Sequence, residues 1–225
     1  MPKAHTPFSP PLVVERLRAG LAAPLPGLAA QRLMAPTPRL GWRPDEFPHD
    51  ARKAAVLLLL YPVGRTTHLA LTLRTSHLPQ HGGQVCLPGG AARPGESMEM
   101  TALREAAEEI GIDTNALTLL GQLTPLHIPV SGFMLFTVVA FASSRPSFRP
   151  HAGEVARVLD VPLGKLCEPA ALHTRIWRHE GRDYEVPYFL VDGATVWGAT
   201  AMVLSEFLSL LGHPPSPPTV TANGS

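Results

Sequence analysis

The segment GGAARPGESMEMTALREAAEEIGI, residues 89–112, constrains this chain more than any other, because a glycine-rich loop runs straight into a helix crowded with carboxylates. At 3.6 residues per turn, Glu105 and Glu109 stand one turn apart with Glu108 beside both. Three like charges on one side of a helix repel by about 0.2–0.5 kcal/mol per pair, an arrangement that a merely solvated face does not need. Neighbouring like charges also raise carboxylate pKa values, so the cluster suits a place that receives a cation. Hard oxygen donors of this kind suit magnesium or manganese, with waters and substrate phosphates completing the shell. Arg104, one turn before Glu108, is placed to orient that carboxylate, and Glu96 is a second partner for it. Gly89, Gly90 and Gly95 let the loop backbone come close to a ligand or metal.

Strand signals surround this unit. AAVLLLLYP (54–62) is a continuous apolar run, as in a strand buried on both faces, and HLALTLR (68–74) returns after VGRTT to make a hairpin. LTLLGQL (117–123) and FMLFTVVAFA (133–142) suit a pleated, half-buried surface. RIWRHEGRDYEVPYFLV predicts a second hairpin turning at residues 180–183. TVWGATAMVLSEFLSLLG predicts a final helix with Ala199, Val203, Phe207 and Leu210 on one face, stopped at Gly212. These elements predict one α/β domain over residues 51–212, a mixed sheet with helices on both faces. Residues 1–50 read as a proline-rich arm with one short helix, capped by Ser9 and begun by Pro10 and Pro11, with Leu12, Val13, Leu17 and Leu21 as its apolar stripe. Residues 213–225 read as a disordered tail.

Composition excludes several classes of partner. A net charge of +1 with interspersed charges predicts no nucleic-acid partner, and the lack of a basic helix or a long apolar run predicts no membrane association. Two cysteines, Cys86 and Cys167, make no disulfide framework, which fits a reducing, cytoplasmic setting. The basic N-terminus faintly suggests a transit peptide, but Pro2, Pro7, Pro10 and Pro11 interrupt the amphipathic helix such a peptide needs.

Gly90, five residues, Glu96, seven residues, then Arg104, Glu105, Ala106, Ala107, Glu108, Glu109, Ile110, Gly111 and Ile112 resemble a complete Nudix box, the signature of hydrolases that cleave a nucleoside diphosphate linked to another moiety. The resemblance implies a Nudix-type α/β/α sandwich with a loop-helix-loop catalytic motif. It also implies roles. Glu105 and Glu109 are the first metal ligands, Glu108 a further ligand or base, and the Gly90 carbonyl a backbone ligand. Arg104 and Glu96 hold the helix geometry, and the cofactor is Mg2+ or Mn2+. The reaction inferred is attack of an activated water on one phosphorus of a pyrophosphate. Glu154 is a candidate general base.

Upstream, LTLRTSHLPQHGGQVCLPGG (71–90) resembles the extra motif of the coenzyme A pyrophosphatase branch, as do VSGF, EVARVLDVPL and VWGATAMVL further on. That resemblance implies hydrolysis of coenzyme A or its thioesters to 3',5'-ADP and 4'-phosphopantetheine. Three positions depart from it: Pro79 where a second arginine is expected, Leu87 for phenylalanine, and Thr75 for serine or alanine. Proline cannot imitate a bidentate phosphate ligand, so Arg74, His77 and His81 are the remaining candidates for phosphate. Cys86 and Trp197 are expected to pack rather than act. Two alternatives stay open: a Nudix hydrolase of another dinucleotide or nucleotide sugar such as NADH or ADP-ribose, and a non-catalytic nucleotide-binding Nudix module. The partner is a small-molecule nucleotide, and a homodimer is the assembly to test.

Overall fold

A computed structural model describes residues 7–39, 41–42, 48, 50–78 and 82–218. The central strand β1 (Arg52–Val63) organises the rest. Its side chains alternate between two apolar layers, with Ala55, Leu57, Leu59 and Tyr61 on one face and Leu58 and Leu60 on the other. A strand buried on both faces needs no polar positions, which is why the run reads as unbroken leucine. β1 turns at Gly64 and Arg65 into β2 (Thr66–Arg74). The short strands β3 (Val85–Cys86) and β4 (Gly89–Ala91) follow, β4 pairing with β1 and β3 with β2.

The helix α3 (Met98–Ile110), third in the chain after α1 (Pro10–Leu21) and α2 (Gly27–Arg32), is framed by local chemistry. Ser97 caps it by accepting from the Met100 amide, and Gly111 ends it in the left-handed conformation at φ 65°. Ala102, Ala106 and Ile110 pack on the Ala55 to Tyr61 face of β1. Alanine at 106 is fully buried, and its small side chain lets the helix lie close to the sheet. Next come β5 (Leu117–Gln122), β6 (Leu126–Ile128), β7 (Phe133–Ala142) and β8 (Val155–Pro162). β7 is parallel to β1 over nine residue pairs, and β8 covers the outer side of β2 antiparallel. The result is one mixed eight-stranded sheet.

The opposite face is covered by α1 and the last helix, after the one-turn α4 (Leu163–Leu166). This last helix, α5 (Gly198–Leu210), differs from its expected single apolar stripe: residues 201–208 are all buried, Ser205 and Glu206 among them, whereas Ala199 and Leu210 are only partly so. The cause is a cover on its outer side. α2 packs across α5, and Glu206 accepts hydrogen bonds from the Gly27 and Thr124 amides and from Gln31. The arm therefore carries two helices where the sequence predicts one, since six residues between prolines carry too little periodicity to announce α2.

A second, three-stranded antiparallel sheet was not anticipated as a separate unit. It orders β11 (Ala194–Trp197), β10 (Arg182–Val191) and β9 (Leu172–His179), with β11 beside β3. Its hairpin turns at Glu180 and Gly181, both at positive φ, within the expected segment. Residues 213–218 have no helix or strand, yet they are held: His213 packs on Phe8 with ring centroids 5.0 Å apart, and Pro215 is buried.

Candidate active site

Arg104 is the hub of the site. Its Nε donates to Glu96 Oε1 at 2.6 Å and its Nη2 to Glu96 Oε2 at 2.9 Å, a bidentate clamp. Nη1 donates to Glu105 Oε1 at 2.6 Å and to Glu108 Oε2 at 3.2 Å, and Nη2 also reaches the Ala91 carbonyl at 3.2 Å. One guanidinium thus joins the loop, β4 and the helix. Glu96 accepts further from the Arg93 amide and from Thr101, and these donors, Arg104 foremost, hold its carboxyl down at about 2. Arg104 in turn is pushed above its usual range by Glu96 and Glu105.

The three helix glutamates are not one uncompensated cluster, which corrects the expectation of bare repulsion. Their side chains are 18, 50 and 3% exposed at Glu105, Glu108 and Glu109 respectively, so the helix turn deals them to three environments. Arginines interleave with them. Glu108 is shared by Arg104 and by Arg93, whose Nη2 donates at 3.2 Å. Glu109 accepts from Arg74 Nη1 at 2.9 Å and from the Gly89 amide at 3.1 Å. Burial is the largest influence on Glu109 and raises its pKa to about 7 against the opposing pull of Gly89 and Arg74.

Glu105 lies against Gly90 so closely that a Cβ there would stand 2.5 Å from Glu105 Oε2. Only glycine allows this approach. Among the described residues none donates a hydrogen bond to Oε2 of Glu105, which leaves a carboxylate oxygen beside the loop backbone available to a ligand. Among the described residues no group of three histidine, cysteine or acidic side chains is already gathered around one point. The donor set is nonetheless all hard oxygen, the kind that holds a small divalent ion, with Glu105 open and Glu109 and Glu108 held by exchangeable arginine contacts.

Glu154 comes to the site through a long-range closure. The segment before it runs over the end of α3, with Arg149 and His151 amides donating to the Ile110 and Glu109 carbonyls at 2.7 and 2.8 Å. Glu154 Oε2 then stands 4.0 Å from Arg74 Nη2, half exposed, and its charge also acts on Glu109. Sequence reasoning directed Arg74 towards phosphate and did not foresee its pairing with Glu109, nor Arg93 with Glu108. His77 is exposed, and His81 and Pro79 lie outside the described residues. Cys86 sits beside Thr72, its thiol pushed up by burial, so it packs as expected, whereas Trp197 is only partly buried and stands edge-on to Trp177 at 5.2 Å.

The NUDIX domain family matches residues 51–184, and with that match this chain belongs to the Nudix hydrolases, enzymes of the pyrophosphohydrolase class. Two curated relatives, both described as uncharacterized Nudix hydrolase NudL, are similar to it. The one from Photorhabdus laumondii is 33% identical over 164 residues, covering 72% of this chain and 87% of the relative. The one from Yersinia enterocolitica is 34% identical over 163 residues, covering 72% and 83%. Among solved structures, the Nudix hydrolase RenU from M. smegmatis is 27% identical, with a TM-score of 0.43, covering 52% of this chain and 73% of that one. A MutT/nudix family protein from Enterococcus faecalis is 20% identical, with a TM-score of 0.44, covering 76% and 68%. Nudix hydrolases generally use divalent metal ions. No helix among the described residues is long and apolar enough to cross a membrane.

Proposed function

We propose that this enzyme hydrolyses the pyrophosphate of coenzyme A or its thioesters, giving 3',5'-ADP and 4'-phosphopantetheine. The observation that carries the reading is the Arg74–Glu109 pair at 2.9 Å, which brings the LTLR strand of the coenzyme A-like motif into direct contact with the last glutamate of the Nudix helix. Glu105, Glu109 and Glu108, with the Gly90 backbone, would hold Mg2+ or Mn2+. Such an ion, when bound, lowers the pKa of water and neutralises developing charge on phosphoryl oxygens. The chain's own residues do the positioning. Arg104 and Glu96 fix the helix against the loop, and Glu154 is the candidate for taking a proton from the attacking water. Arg74 can exchange its contact with Glu109 for a substrate phosphate, one planar cation serving both acceptors in turn. The arm, domain and tail division at residues 50 and 212, the cytoplasmic setting and a homodimeric assembly belong to the same proposal.

The test is product identification after incubation of the full chain with coenzyme A, NADH and ADP-ribose in Mg2+ or Mn2+. Release of 3',5'-ADP from coenzyme A with the highest kcat/KM of the three is the expected result. A higher kcat/KM for NADH or ADP-ribose would overturn the coenzyme A assignment, and Pro79 makes that the second reading, because the position lacks the arginine expected for this branch.

A further inference from the structure

The second sheet builds a cleft that the catalytic glutamates do not use. Leu73, Gln84, Arg157, Arg175, Thr195 and Trp197 line a space of about 370 Å³ between the ends of β2 and β8 and the strands β9 and β11. Two arginines, Arg157 and Arg175, face it. Arg74, Arg93, Arg104, Arg145 and Arg178 each have a carboxylate within ion-pair distance. Among the described residues the Arg157 side chain has neither an ion pair nor a hydrogen bond, and that of Arg175 has only the Tyr188 ring, 5.5 Å from its guanidinium carbon. No acidic side chain lines the cleft among the described residues. Two uncompensated guanidiniums facing one space favour an anion there, and their planar forks match phosphate geometry.

The cleft also offers a ring surface. Trp197 is held edge-on by Trp177 at 5.2 Å, so its indole lines the space in a fixed orientation at little entropic cost on binding. Thr195 adds a neutral hydrogen-bonding side chain. Guanidiniums, a hydroxyl and an indole together suit a phosphorylated nucleoside. The cleft and the catalytic glutamates meet at one strand end: Leu73 lines the cleft, and the next residue, Arg74, holds Glu109. The Arg74 amide donates to the Gln84 carbonyl and the Gly83 amide to the Arg74 carbonyl, so backbone hydrogen bonds join the cleft wall to the active-site arginine.

We propose that this cleft binds a phosphomonoester carried by the nucleoside end of the substrate, beyond the pyrophosphate that is cleaved, with Arg157 and Arg175 on the phosphomonoester and Trp197 against the base. The proposal rests on the pyrophosphohydrolase reading for where the scissile bond lies, but its test needs no turnover. Adenosine 3',5'-bisphosphate, adenosine 5'-monophosphate and inorganic phosphate are titrated into the metal-free full chain by calorimetry. The same is done with R157A/R175A and with the single charge reversal R157E at an exposed position. Expected are at least tenfold tighter binding of the bisphosphate than of the monophosphate, and loss of that preference in a variant whose melting temperature is unchanged. Equal bisphosphate affinity in wild type and both variants would overturn the proposal, as would inorganic phosphate binding as tightly as the bisphosphate. Failure of coenzyme A hydrolysis with the binding preference intact would strike the substrate reading alone.

Discussion

Arg74, the last residue of β2, donates from Nη1 to Glu109 at 2.9 Å while its Nη2 stands 4.0 Å from Glu154, so one guanidinium bridges the helix and a loop 80 residues downstream of itself. A strand end thereby sets the charge environment of the most buried carboxylate in the site. Glu109 sits at the balance point between desolvation, which favours its neutral form, and two donors that favour the ionised one.

Glu109→Gln is expected to fold normally and to lose turnover by roughly 100- to 10,000-fold, the range for removal of a group that acts at the reacting centre. Steady-state kinetics at saturating magnesium, beside a thermal melt, give both quantities. Near-wild-type turnover in a folded variant would remove Glu109 from the list of essential ligands.

The pH dependence of metal-free stability follows from the same residue. Its pKa rises from 4.5 to about 7 on folding, so the folded state holds a proton that the unfolded chain releases. Stability from this group is therefore fully present below about pH 4.5 and lost as pH rises to about 7. Melting temperatures in chelator between pH 4.5 and 8 should fall in that window for wild type, flatten in Glu109→Gln, and fall more steeply in Arg74→Ala, where the ionised carboxylate loses its cation.

Glu96 predicts the opposite slope in a lower window. Its carboxyl is held at about 2, below the ordinary 4.5, chiefly by Arg104. Its contribution is present above about pH 4.5 and is lost as pH falls towards 2. Acid unfolding of Glu96→Gln should show a shallower dependence over this range, and an unchanged profile would mean that the clamp does not couple to folding.

Gly90→Ala places a methyl 2.5 Å from Glu105 Oε2. The carboxylate has to move, and a displacement on the order of 1 Å costs about 100-fold in rate. A kcat reduced by that order, with a melting temperature close to wild type, is the expected pairing. Unchanged kcat would show that Glu105 acts from another position.

Glu206→Ala should destabilise the fold by about 3 kcal/mol or more, because it strands the Gly27 amide, the Thr124 amide and Gln31 in a buried setting. Denaturant unfolding measures it, and Glu206→Gln, which keeps an acceptor, should lose less. An equal loss in both variants would assign the effect to charge rather than to the hydrogen bonds.

Much of this architecture is legible from residues close together in the chain. The apolar run of β1, the spacing of the glutamates on α3 and the Glu180–Gly181 turn are all local, set by backbone geometry and side-chain spacing that propagate over a few residues. The loop-helix-loop with Arg104 and Glu96 is equally local, and the clamp forms between the residues the spacing names. What depends on distant pairing lay beyond that reach. The enclosure of α5 exists because α2 covers its outer side, and β9, β10 and β11 leave the main sheet to form their own. Arg74 meets Glu109 because β2 ends where α3 ends, and its guanidinium pairs with a carboxylate whose ionised form burial disfavours. Repulsion between glutamates is a property of the helix; its relief by Arg74, Arg93 and Arg104 is a property of the packed fold, in which desolvation and long-range contacts decide which charges coexist.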